Sequence, residues 1–137
     1  MNGALRPVMD GIFDQGPPPQ LLGGHCPECE RKYFPKPTVC PRCLGPLHQV
    51  ALSSTGRLYS FSTVRTRAPF DLPQPYAVGY VDLDDDSLRI VSLLDPERVD
   101  DLAIGQPLAL RVAPIGVTPG GEPCLRYYFT PQDGGNP

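Results

Sequence analysis

Four cysteines fall between residues 26 and 43, in "CPECERKYFPKPTVCPRC". Cys26, Cys29, Cys40 and Cys43 are spaced C-x2-C-x10-C-x2-C. Each C-x-x-C lets one tight turn aim two sulfurs at a common point, and two such turns build a tetrahedron suited to zinc. Pro27 and Pro41 each follow the first cysteine of a pair, where a preset φ favours the turn. The ten residues between the pairs can form a short hairpin, the plan of a zinc ribbon. With sulfur at all four positions no place is left for a reactive water, so the site reads as structural. Metal sites of this kind contribute about 10–16 kcal/mol of apparent binding free energy in finger peptides, enough to order so short a stretch. Iron on four thiolates stays open beside zinc at this stage. A redox dithiol is disfavoured, because that motif belongs at a helix start in an α/β pattern.

Other reactive side chains offer less. His25 and His48 flank the cysteines but, with four sulfurs at hand, read as surface residues or donors outside the ligand set. Cys124 lies in the strand-like run "CLRYYF" and reads as a small core residue, with no histidine beside it to activate a nucleophile. No Ser–His–Asp set, phosphate-cradling glycine loop or catalytic carboxylate pair stands out, so no catalytic residue is assigned and a thioesterase lacks a nucleophile.

The elements that must position the cysteines are strands. The chain has 137 residues, is 40% hydrophobic and contains 19 Pro and 14 Gly, enough for a core but hostile to long helices. "VALSSTG" ends in a turn at Gly56, and five strands follow in "RLYSFSTVRT", "YAVGYVDL", "LRIVSLL", "QPLALRVAPIG" and "PCLRYYFTP". "RAPFDLPQP" is a proline-punctuated loop and "DDDS" a hairpin turn. In "DPERVDDLAIG" Asp95 can cap a helical turn with Pro96 in its first position, and Gly105 closes the segment. The fold class is therefore mainly β: a zinc ribbon followed by a five-stranded OB-fold barrel, with a β-sandwich less favoured. The expected organisation is a flexible, proline-rich segment over 1–21, the ribbon over 22–49, the barrel over 50–131 and a tail over 132–137.

Charge restricts the partners. The net charge is −3, and the basic cluster Arg31, Lys32, Lys36 and Arg42 sits within the cysteine module. That balance argues against binding nucleic acid by charge neutralisation. No apolar run is long enough to span a membrane, and no basic start leads into an apolar stretch, so a cytoplasmic location is expected.

In this order the motifs resemble the DUF35 family, acyl-CoA-associated proteins with a rubredoxin-like zinc ribbon and an OB-fold. The resemblance covers roughly residues 22 to 131. It is carried by the cysteines with Tyr33, Phe34 and Pro35 between them, by Gly56, Tyr59, Ser62-Thr63-Val64 and Pro75-Tyr76, and by Gly105, Pro107 and the closing "YYFTP". It implies the small, non-catalytic subunit of a thiolase-type complex, such as the benzoylsuccinyl-CoA thiolase or steroid aldolase type. In such complexes the thiolase-fold partner holds the catalytic residues, in a two-plus-two heterotetramer, and the zinc-bearing subunit helps shape the entrance for the acyl-CoA thioester. Two departures stand out: "DDDS" lacks the glycine usual in that hairpin, and the segment before the ribbon is short and proline-rich.

On this reading the candidate surfaces for the partner or for coenzyme A are Arg31, Lys32, Tyr33, Phe34 and Lys36 on the ribbon hairpin. The aromatics offer contact area and the cations suit phosphates, while Tyr33 and Phe34 equally suit the ribbon's own small core. Arg65, Arg67 and Phe70, beside the proline loop, form a second candidate surface. The alternative is a stand-alone binder of single-stranded nucleic acid that stacks bases on Tyr59, Phe61 and Tyr80.

Overall fold

The computed structural model describes residues 6–9, 11–16, 18–65 and 69–132; Arg67 lies outside them. Two antiparallel sheets account for the chain. The first holds β1 (Phe13–Asp14), β2 (Gln20–Cys26), β3 (Arg31–Tyr33) and β4 (His48–Ala51), with β2 paired to each of the others. The second holds β5 (Thr55–Val64), β6 (Tyr76–Leu83), β7 (Arg89–Leu93), β8 (Pro107–Val117) and β9 (Pro123–Pro131), in the order β7-β6-β5-β8-β9. A parallel bridge between Leu94 and Phe129 brings the two edges together, so the five strands form the nearly closed barrel expected. The helical turn is present as 3-10 turns over Pro96–Asp101, broken at Arg98, with the Glu97 N–H donating to Asp95 Oδ1 at 2.9 Å.

Three expectations change. The segment read as flexible is fixed where the structure describes it. Ile12, Phe13 and Leu21 are buried, and Val8 N–H donates to the Leu125 carbonyl at 2.7 Å, because these apolar residues complete the core where the ribbon meets the barrel. The ribbon sheet accordingly reaches beyond 22–49 on both sides, from Phe13 to Ala51. The turn placed at Gly56 lies earlier, over 52–54, and Gly56 is inside β5. A Cβ there would come 2.6 Å from the Asp82 carbonyl oxygen, so glycine serves the close approach of β5 and β6 rather than a turn.

A register shift in β5 between Leu58 and Ser60 breaks the simple in–out alternation of a regular strand. Leu58 is buried and Phe61 packs against the core, while Tyr59 faces solvent. One continuous core results: Ile12, Phe13, Leu21 and Leu52 from the ribbon side join Leu58, Val81, Leu108, Leu110 and Phe129 of the barrel.

Candidate metal centre and the ribbon–barrel seam

The two knuckles adopt matching geometry. Glu30 N–H donates to the Cys26 carbonyl and Leu44 N–H to the Cys40 carbonyl, both at 2.8 Å, and Glu30 and Leu44 take positive φ of 55° and 62°. Main-chain N–H groups also face the sulfurs: Cys29 to Cys26 Sγ, Arg42 to Cys40 Sγ and Gly45 to Cys43 Sγ, each at 3.4 Å. Such donors stabilise thiolate charge, which a metal requires of its ligands.

All four Sγ atoms lie within 4.8 Å of one another. The Cys26–Cys43 and Cys29–Cys40 separations are 3.6 and 3.9 Å. A tetrahedron with zinc–sulfur bonds of about 2.3 Å has edges of about 3.8 Å, so the donor set and its spacing fit zinc. Without metal the thiols diverge. Burial pushes Cys29 up to about 12, reinforced by hydrogen bonds with Cys43, Cys40 and Cys26. Cys40 falls to about 6, chiefly because the Cys43 N–H faces its sulfur, against the opposing effect of burial and with help from the Tyr33 hydroxyl.

His25 and His48 sit opposite each other on β2 and β4, outside the sulfur cluster. Cys124 is buried, its Sγ 3.8 Å from the Ile115 carbonyl, in the core position expected of it.

Three consecutive residues of the ribbon hairpin find partners, Lys32 and Phe34 in the barrel and Tyr33 within the ribbon. Lys32 Nζ donates to Asp86 Oδ1 at 2.6 Å, across from β3 to the β6–β7 turn. The Asp86 side chain is only 3% exposed, and its second oxygen accepts from Ser53 N–H at 2.6 Å. The Tyr33 hydroxyl lies 3.6 Å from Cys40 Sγ. Phe34 meets Tyr127 of β9 edge-on, with centroids 5.7 Å apart at 82°, and Phe13 meets the same ring at 6.3 Å. The sequence left Tyr33 and Phe34 open between an interaction surface and the ribbon's own core and placed Lys32 on the surface; in the structure each has a partner within the chain. Sequence reasoning missed Asp86 and Tyr127. The absent hairpin glycine was the available signal, because Ser87 takes the positive φ of 51° there and the run before it turns Asp86 inward.

The remaining candidates are more open. Arg31 is exposed at a cleft of about 690 Å³ that also touches His25, Tyr33, Asp85 and Ser87. Lys36 is exposed and its stem lies over Gly24. Arg65 makes a loose 3.9 Å pair with Asp100. Phe70 is 46% exposed beside the Arg126 guanidinium, 5.9 Å from the ring centroid. Arg31 and Lys36 lie on the ribbon hairpin, and Phe70 lines a groove that Pro35 of the same hairpin also borders.

Of the aromatics suggested as base-stacking platforms, Phe61 and Tyr80 line one hollow and Tyr59 carries a cation on its ring. The Arg89 guanidinium covers the Tyr59 ring at 3.3 Å while pairing with both oxygens of Asp82, and Phe61 packs against the core. Tyr80 remains exposed. No helix among the described residues is long and apolar enough to cross a membrane.

Fold and site together define a four-cysteine zinc ribbon joined to an OB-fold. Residues 13–48 match the family model "ChsH2, rubredoxin-like zinc ribbon domain" and residues 49–113 the model "ChsH2, C-terminal OB-fold domain". The chain belongs to the DUF35 family in this ChsH2-like form. It is 32% identical over 112 residues to the benzoylsuccinyl-CoA thiolase subunit BbsA of Geobacter metallireducens, covering 81% of this chain and 74% of that protein. It is 31% identical over 86 residues to a DUF35 domain-containing scaffold protein of Methanothermobacter thermautotrophicus, covering 58% of this chain and 64% of that protein. Among solved structures, the Ltp2-ChsH2(DUF35) aldolase superimposes with a TM-score of 0.64 at 25% identity, over 82% of this chain and 84% of that one. A DUF35 protein of unknown function from Sulfolobus solfataricus, 11% identical with a TM-score of 0.51 over 82% of this chain and 76% of that one, shares the fold.

Proposed function

We propose that this chain is the non-catalytic, zinc-bearing subunit of a thiolase-type complex that makes or breaks C–C bonds in acyl-CoA thioesters. The observation that carries this reading is that its chemically capable groups are engaged in structure. Four sulfurs converge on one metal position, Lys32 and Asp86 hold the seam, and Cys124 is buried against a carbonyl. The kinship with a protein described as a thiolase subunit, and with a chain solved as part of an aldolase, supports the class of partner. Zinc holds the ribbon and takes no part in turnover. The partner supplies the catalytic residues, and this subunit shapes the mouth through which the thioester enters. Arg31 and Lys36, exposed on the ribbon, are the cations offered to coenzyme A phosphates. Five free cysteines suit the reducing cytoplasm as its compartment.

Co-expression with a candidate thiolase-fold partner tests the reading. The two are expected to co-elute as a two-plus-two heterotetramer, with about one zinc per copy of this chain. Independent elution, together with salt-sensitive binding of single-stranded oligonucleotides by this chain, would favour the nucleic-acid alternative instead.

A further inference from the structure

An apolar groove of about 430 Å³ runs between the N-terminal segment, the 69–72 turn, β6–β7 and β9. Met9, Phe70, Leu72, Val91 and Tyr127 line it, and Met9, Phe70 and Val91 are 55%, 46% and 55% exposed. Val78 and Val91 also line a second hollow of about 260 Å³ beside the exposed Tyr80, so the apolar surface continues along the outer face of the barrel. Contiguous exposed apolar surface of this kind marks an interaction site more often than isolated apolar residues do.

Two further features indicate what fits there. Among the described residues the lining contains no carboxylate, and its one charged side chain is Arg126. Arg126 donates to the Ile115 and Val117 carbonyls at 3.2 and 2.7 Å and lies near the Cys124 sulfur and the Phe70 ring, so among the described residues its partners are carbonyls, a sulfur and an aromatic face rather than a carboxylate. Phe70 itself sits in the left-handed region, at φ 53° and ψ 29°, where a bulky residue is uncommon. Its carbonyl is pressed onto β8, since a Cβ on Gly116 would lie 2.5 Å from it. A strained backbone that leaves nearly half of its aromatic residue exposed gains little for the fold. It fixes the ring at the rim of the groove.

We infer that this groove is the docking site for an apolar segment of the thiolase-fold partner, a segment that also carries a carboxylate directed to Arg126. The inference rests on the reading above and adds the surface and the chemistry of its occupant. Phe70 and Val91 supply the apolar contact, and Arg126 supplies charge and register.

Titration of the purified thiolase-fold protein into variants of the full chain tests this. Phe70→Asp is expected to weaken the complex by about 30-fold or more, as for a central interface residue. Phe70→Gly relieves the left-handed strain, so the melting temperature of the free chain should hold or rise while affinity still falls about tenfold. Arg126→Gln should lower affinity and flatten its salt dependence. Ile104→Asp, at a 70% exposed position away from the groove lining, should bind as the unaltered chain does. Zinc content and melting temperature of each free variant report on folding. Undiminished affinity of both Phe70 variants overturns the inference and leaves the proposed function standing. Failure of the unaltered chain to bind overturns both. Self-association of the free chain that Phe70→Asp abolishes would assign the groove to a second copy and overturn the inference.

Discussion

The ribbon and the barrel are ordered by different means. Between residues 26 and 45 the only fully buried side chains are Cys26 and Cys40. The barrel buries Leu58, Val81, Leu83, Ile90, Leu108, Leu110 and Phe129 in one cluster. Order in the ribbon depends on a single point, four sulfurs around a metal, whereas order in the barrel is spread over many apolar contacts. The two meet where Lys32 and Phe34 reach Asp86 and Tyr127, while Tyr33 between them reaches back to Cys40 of the metal site. Metal, charge pair and aromatic contact thus follow one another along three residues of chain. A rigid module with an internally committed ribbon is what a supporting subunit requires.

Removing the metal should produce the largest difference between the regions. Cys26→Ser, or chelation of zinc, is expected to abolish amide protection from residues 26 to 45 while β5–β9 stay protected, as measured by hydrogen exchange with zinc analysis. Equal loss in both sheets would show that the barrel depends on the metal too. The complementary change is Phe129→Ala. It empties a fully buried aromatic site and should cost about 3–5 kcal/mol of barrel stability, read by denaturant unfolding.

The seam comes next. Asp86→Asn removes the charge that holds Lys32 and leaves Ser53 N–H a neutral acceptor. A loss of about 1.5–3 kcal/mol is expected, with zinc content unchanged. Loss of zinc as well would mean that the seam holds the metal site together rather than merely orienting it.

Acidity should act on the ribbon more gently. Cys40, held down to about 6, is already a thiolate at neutral pH, whereas Cys29, pushed up to about 12, must release its proton to bind metal. Zinc affinity should therefore rise with pH, by about tenfold per unit for each proton released, and fall further as Cys40 protonates near pH 6. Competition with a chromophoric chelator from pH 6 to 8 measures the slope.

Much of this architecture was legible in the sequence. The cysteine spacing located the metal site, and alternating β-branched and aromatic runs located the five barrel strands in order. Asp95-Pro96 marked the capped turn. What stayed hidden depends on contacts remote in the chain. Asp86 differs from Asp84 and Asp85 only in direction, and direction is fixed by Lys32, 54 positions away. The β5 register shift is a backbone event with no residue type that announces it. Ile12, Phe13 and Leu21 lie beside a proline run that reads as linker, and only the shared core shows where they go.

The central claim is that catalysis belongs to the partner and support to this chain. Acyl-CoA turnover measured for this chain alone, for the thiolase-fold protein alone and for the two combined tests it most directly. The account predicts no turnover by the isolated chain and full activity only from the pair. Turnover by the isolated chain, or full activity of the thiolase-fold protein without it, would contradict the account.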